Sequence, residues 1–344
     1  MKPLVYRAGR RLASTRLTLV GMVLLAVGAG LSYDNPATTS VWALVAPLGF
    51  LALNLFAAIL VQPGINRRGG LLLFHIGLLS ICILAAIGRL TFYEAHVEMV
   101  AGEPFAAATV IEPRQGPWHS GELEAIQFVQ GPYTVEYGAQ LRRGPTRSQV
   151  AIPDGRGGWT EQVVGDDTPL LINGYRFYTS FNKGFAPLLT WTPDGGEPVT
   201  GTVHMPSYPL FEYKQDNRWT PPGGEEIKFW LRLETGYTLD QPWVLDGRKA
   251  TGVLVVNSGE QRLELQPGDE VQLAGGRLRY EALNSWLGYK IFYDPTLKWL
   301  FIAAILAVVG LARHYWSKFS DQPLAEREPQ RHQAQAATEK AVKR

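Results

Sequence analysis

Four apolar stretches, each near the roughly 20 residues a helix needs to cross a hydrocarbon core, constrain this 344-residue chain more than any other feature. They cover residues 17–33, 41–61, 70–88 and 297–312, the last with an aromatic extension to Trp316. No Asp, Glu, Lys or Arg interrupts them except Lys298, close enough to the start of the fourth for its ammonium to snorkel to the interface. Three membrane helices near the N-terminus and one near the C-terminus are therefore expected. The first follows a leader with five positive groups and has small residues around 26–30, features it shares with a signal peptide. Its apolar run of about 15 residues or more favours an uncleaved anchor.

Charge supplies the orientation. The overall balance of +2 hides a partition: residues 1–90 carry eight basic groups and one acid, 91–312 carry 18 and 26, and 313–344 carry seven and four. Basic residues stay on the cytoplasmic side, and short loops report this best. The leader, the loop with Arg67 and Arg68, and the tail from Arg313 read as inside, whereas the loop at 32–40 has only Asp34. The acidic centre then lies outside, which for a bacterial inner (cytoplasmic) membrane is the periplasm, with both termini cytoplasmic.

That centre is rich in period-2 patterns with turn residues between them. Residues 227–234, 253–256, 261–265, 270–273 and 277–280 read as strands, punctuated by Asn257-Ser258-Gly259, Pro267-Gly268 and Gly275-Gly276. Asp154-Gly155 and Asp194-Gly195-Gly196 are further turns, and no convincing amphipathic helix intervenes. The fold class expected is membrane α plus β, with a large antiparallel β-rich outer domain built as a sandwich or partly open barrel. The divisions are a cytoplasmic basic leader at 1–16, a three-helix region at 17–90, the periplasmic domain at 91–293, the fourth helix at 294–316, and a disordered tail at 317–344.

Several function classes fall away. Cys82 is the sole cysteine, so one chain forms no internal disulfide, CxxC pair, haem-attachment CxxCH or cysteine-based zinc site. It also lacks a phosphate loop, an HExxH and a basic patch interleaved with aromatics, which leaves no nucleic-acid reading and no side chain marked as catalytic.

The candidate that stands out is His75, in Leu71-Leu-Leu-Phe-His-Ile-Gly-Leu-Leu-Ser80 of the third stretch. An imidazole in hydrocarbon needs a partner. It sits about 8 Å along the helix from Gly70. A neutral imidazole can ligate haem iron through one nitrogen while the other donates to a carbonyl. It can equally make an interhelical hydrogen bond, for instance to Asn54 or a backbone carbonyl. Gly70, Gly77 and Gly88 allow close approach of either a helix or a flat macrocycle. Cys82, at i+7 from His75, reads as a small packing residue.

The remaining histidines rank lower. On a strand, His96 shares a face with Glu94 and Glu98, as metal ligands do and as a solvated charged face also does. His204 and Met205 have the donors of a cytochrome axial pair, but adjacent strand residues point to opposite faces. His119, His314 and His332 read as loop or solvated residues, and most of the ten tryptophans as core or interface residues.

With these features in place the chain resembles the ResB (CcsB) family of system II cytochrome c biogenesis. The likeness rests on the three clustered spans with Gly69-Gly-Leu-Leu-Leu-Phe-His75-Ile-Gly77, on Val97-Glu-Met-Val-Ala-Gly-Glu103, on Gly174-Tyr-Arg-Phe-Tyr-Thr-Ser-Phe-Asn-Lys-Gly184, and on Trp286-Leu-Gly-Tyr-Lys-Ile-Phe-Tyr-Asp-Pro295 before the last span. The resemblance implies one half of a haem-export and haem-attachment complex, whose CcsA-type partner carries a tryptophan-rich WWD segment. It maps the family's membrane haem ligand onto His75, which would hold transported haem b together with a partner histidine. The haem would pass outward to apocytochrome c. Beside this stand a haem b electron-transfer subunit and a cofactor-free membrane-anchored scaffold.

Overall fold

The computed structural model describes residues 9–234, 237 and 239–320. Most of the expected tail, at 321–344 with His332, and the first half of the leader lie outside the described residues. Four helices are long and apolar enough to cross a membrane: α1 (Thr15–Asp34), α2 (Trp42–Val61), α3 (Gly69–Thr91) and α4 (Leu297–Ser320). Helix α4 runs past the boundary expected at 316, because Tyr315 and Phe319, one turn apart, lie ring to ring at 6.4 Å and extend it. Residues 317–320 are thus helix rather than tail.

The chain divides into two units. In the helical unit, α3 and α4 run antiparallel with backbones in contact. Gly70 meets Gly310 and His314, Gly77 meets Ala307, and Gly88 meets Thr296. A methyl group on Gly77 would lie 2.7 Å from the Ala307 nitrogen, so only glycine permits this approach. What the three glycines admit is therefore a neighbouring helix of the same chain. Residues Gln115–His119 belong to this unit and cap α3: Trp118 N–H donates to the Leu90 carbonyl at 2.8 Å and His119 Nδ1 to that of Thr91 at 3.0 Å. Those carbonyls are otherwise orphaned at a helix end.

The second unit holds three sheets. The largest contains β1 (Tyr93–Val100), β2 (Ile111–Gln115), β6 (Leu170–Ile172), β7 (Tyr175–Pro193), β8 (Val199–Thr202), β14 (Glu270–Leu273) and β15 (Gly276–Tyr293). A second is formed by β3 (Val129–Tyr137), β4 (Arg143–Pro153), β5 (Trp159–Gly165) and β11 (Trp243–Asp246). The third has β9 (Asp216–Trp219), β10 (Ile227–Leu233), β12 (Gly252–Ser258) and β13 (Gln261–Leu265). Among the described residues the only helical pieces of this unit are turns of three residues.

Strand β15 is the spine. It pairs antiparallel with β1, from Tyr93↔Tyr293 to Val100↔Trp286, and along its other edge with β7 from Gly276↔Pro193 to Tyr293↔Tyr175. Register shifts at Tyr280/Ala282 and Leu287/Tyr289 interrupt the second pairing. Local hairpins follow the turn residues. Asp194-Gly195-Gly196 joins β7 to β8, and Asn173-Gly174, both at positive φ, closes the two-residue turn from β6 to β7.

One continuous apolar core serves all three sheets, with Val97 and Trp191 from the first, Val135 from the second and Phe229 from the third. Within it lies a closed polar circuit. Tyr289 Oη donates to Gln130 Oε1 at 2.6 Å, Gln130 Nε2 donates to Ser148 Oγ at 2.8 Å, and Ser148 Oγ donates back to Tyr289 Oη at 2.8 Å. Every buried group in the circuit has a partner, as burial requires.

Candidate functional site

His75 sits on the second turn of α3, half-buried, and its side chain makes one hydrogen bond: Nδ1 lies 2.7 Å from the Leu71 carbonyl, one turn back on the same helix. A carbonyl only accepts, so Nδ1 carries the proton, and in neutral imidazole Nε2 then keeps its lone pair. Asn54, the interhelical partner considered above, is occupied elsewhere. It accepts from Thr18 Oγ1 at 2.7 Å and donates to the Ser14 carbonyl at 3.2 Å and to that of Leu12. The interhelical bond between His75 and Asn54 is not formed: His75 Nδ1 donates to Leu71, and both amide hydrogens of Asn54 go to the Leu12 and Ser14 carbonyls. Wheel spacing of 100° per residue puts His75 about 140° round α3 from Gly70, away from the α4 contact. Cys82, half-buried, follows two turns later on nearly the same side.

The structure also separates the lesser histidines. On β1, Tyr93, Ala95, Val97 and Met99 turn inward while Glu94, His96 and Glu98 share the other face. Their partners differ. Glu94 is bound by Arg114 at 2.7 Å and Lys290 at 2.5 Å. Burial alone would raise its pKa, but these two cations hold it below the usual carboxylate range. Glu98 faces His204, whose Nδ1 lies 3.3 Å from Oε2 and whose ring lies parallel to Trp286 at 5.6 Å. Met205 is 1 % exposed and points into the core, so His204 and Met205 do not converge. No trio of His, Cys, Asp or Glu is placed to share a metal ion among the described residues.

One cluster carried no signal in the sequence. Asp166 accepts from Arg143 at 2.8 Å, from Thr179 at 2.7 Å and from the Thr146 N–H at 3.1 Å. These bonds outweigh burial and lower its pKa. Nearby, Lys183 is 3 % exposed, with Nζ 3.2 Å from the Phe181 carbonyl and above the Tyr137 ring. Burial, reinforced by Arg143 and opposed by Asp166, lowers its pKa to about 8. The lysine belongs to the stretch 174–184 that carries part of the resemblance, yet nothing in that stretch marks it as buried.

Four apolar helices joined to antiparallel sheets define a multi-pass membrane protein with a large β-rich unit inserted before its last helix. A model of the ResB-like family matches residues 56–207, which include α3, His75 and the strands up to β8. Over that stretch the chain is similar to the family. Two curated relatives, each a cytochrome c biogenesis protein CcsB, one from Synechococcus elongatus and one from Synechococcus sp., are 22 % identical over 259 residues. The alignment takes in 74 % of this chain and 53 % of theirs, so the chain spans about half the length of the curated relatives it matches. A solved structure of the cytochrome c heme lyase CcmF aligns with 87 % of this chain and 34 % of its own at 12 % identity, with a TM-score of 0.28. A score that low carries no argument about shared architecture.

Proposed function

We propose that this protein is a haem-handling factor of cytochrome c biogenesis, acting as the ResB-like subunit of a two-part membrane complex with a CcsA-type partner that delivers haem to apocytochrome c. The observation that carries the reading is His75. Its Nδ1 is engaged by the Leu71 carbonyl, which leaves Nε2 as a lone-pair donor inside a membrane helix, the state an axial ligand of haem iron requires. The bond from Nδ1 to the Leu71 carbonyl also fixes the ring's orientation and raises its basicity, as with histidines that bind metals. Haem is cargo here; among the described residues His75 is the one imidazole within the apolar stretches of the spans, and the second axial ligand is assigned to the partner.

Sidedness follows from charge. Arg67, Arg68, Arg313 and Lys318 stand at one end of the helices, and Asp34 and Asp294 with Arg89 and Lys298 at the other; the excess of basic groups at the first end favours cytoplasmic termini and a β-rich unit in the periplasm of a bacterial inner membrane. In that frame His75 lies about 8 Å inside the cytoplasmic boundary, positioned to take haem early on an outward path. The family match and the CcsB relatives support the same reading.

The test replaces His75 by Ala and by Gln in cells that also express the partner. The purified complex is expected to lose its haem absorbance, c-type cytochrome to fall, and added imidazole to restore part of the haem bound to His75→Ala. Undiminished haem and cytochrome in His75→Ala would remove the ligand role and leave a scaffold carried by the β-rich unit.

A further inference from the structure

A cavity of about 540 Å³ opens at the start of α3 and the end of α4, lined by Arg68, Arg313, His314, Ser317, Lys318 and the backbone of Gly69 and Gly70. Three of these side chains are permanent cations at neutral pH, and the imidazole of His314 stands among them. Among the described residues of this unit no carboxylate meets their charge. Among the described residues the helical unit has two acids, Asp34 at the end of α1 and Asp294 just before α4. Asp294 stands at the opposite end of α4, a 24-residue helix about 36 Å long, and it accepts from the Thr296 N–H and hydroxyl. Ser317 turns its hydroxyl back to the His314 carbonyl at 3.0 Å, so it lends the cavity an oxygen rather than a charge.

The depth of the cavity is marked independently. Tyr315, Trp316 and Phe319, on the same turns of α4, are all exposed, Trp316 at 79 %. Exposed aromatic rings at the end of a membrane helix belong to the headgroup layer. A recess lined by cations at that level, between two membrane helices, has the character of an anionic headgroup site. The first backbone N–H groups of α3 open beside it without a side-chain cap, and they add a small attraction for the same sign of charge.

We propose that this cavity binds the phosphate of an anionic phospholipid from the leaflet on the Arg68 side, with Arg68, Arg313 and Lys318 as the phosphate ligands. A lipid held there would bridge the ends of α3 and α4 and complete a pair of helices that approach too closely to carry side chains of their own at Gly70 and Gly310. The assignment does not rest on His75 and stands or falls separately from the haem reading.

The full chain, purified in mild detergent, is tested by native mass spectrometry with phosphatidylglycerol or phosphatidylcholine added at equal concentration. One phosphatidylglycerol is expected to remain on the wild type in preference to phosphatidylcholine. Arg68→Gln with Arg313→Gln is expected to weaken its retention by roughly 30-fold, the effect of two interfacial cations. Arg68→Lys with Arg313→Lys is expected to retain it, which separates charge loss from misfolding. Arg10→Gln with Arg11→Gln, equally basic but outside the cavity, is expected to change nothing, as is His75→Ala. An equal loss in the Arg10/Arg11 variant would assign the binding to diffuse surface charge and overturn the proposal. So would full retention in the Arg68/Arg313 glutamine variant, or displacement of the lipid by the propionates of added iron protoporphyrin.

Discussion

Replacing Lys183 by Met should flatten the alkaline pH dependence of the β-rich unit's stability. The lysine is 3 % exposed and its pKa is lowered from 10.5 to about 8. Each unit corresponds to about 1.4 kcal/mol, so below pH 8 the folded state carries a penalty of about 3 kcal/mol for keeping the ammonium buried. The unfolded chain binds more protons than the native one between pH 8 and 10.5, so stability rises with pH across that window. Between pH 7.5 and 9.5 the two-pKa expression recovers about 2 kcal/mol. Urea unfolding of the full chain in micelles, followed by the fluorescence of its tryptophans, of which Trp191 and Trp286 are buried in the β-rich unit, measures this at several pH values. The wild type should gain about 2 kcal/mol relative to Lys183→Met over that interval. Parallel curves for the two proteins would show that Lys183 does not titrate in this window and that its ammonium finds solvation the static geometry does not display.

Three further outcomes follow from single contacts. Tyr289→Phe leaves Gln130 Oε1 without a donor and Ser148 Oγ without its acceptor in the core, and should lower urea stability by about 1–3 kcal/mol. Gly77→Leu drives a side chain into the Ala307 backbone and should destabilise the α3–α4 pair by about 1–3 kcal/mol or more; thermal melting in micelles reads it. Gly49→Ala in α2, where no atom lies within 4 Å, is the neutral control. Nitrogen-15 NMR of labelled His75 should find Nδ1 protonated and Nε2 bare. The reverse tautomer would break the Leu71 bond and with it the assignment of Nε2 as the donor.

How much of this was legible beforehand depended on the range of the interaction that decides each feature. The spans were legible because hydrocarbon imposes a length and excludes charge residue by residue, and Lys298 is the only formal exception inside them. Hairpins such as β12–β13, from Gly252–Ser258 to Gln261–Leu265, were equally legible, since Ser258-Gly259 and the alternation on either side are local. The spine was not. That β15 accepts β1, nearly 190 residues earlier, along one edge and β7 along the other is fixed by which apolar faces fill one core, and no period-2 count contains that pairing. The same limit applies to the glycines of α3. Their spacing announces a close approach, but helix and macrocycle impose the same requirement for missing side chains, and only the antiparallel placement of Ala307 and Gly310 resolves it. His75 is the converse case. Its residue type and position were visible at once, while its availability as a ligand depends on a contact four residues back along its own helix and on Asn54 being engaged by Thr18, Ser14 and Leu12. Chemistry-bearing residues are therefore conspicuous when the solvent is hydrocarbon. In the β-rich unit, by contrast, Lys183 looked like any surface lysine, because its burial is produced by strands from distant parts of the chain.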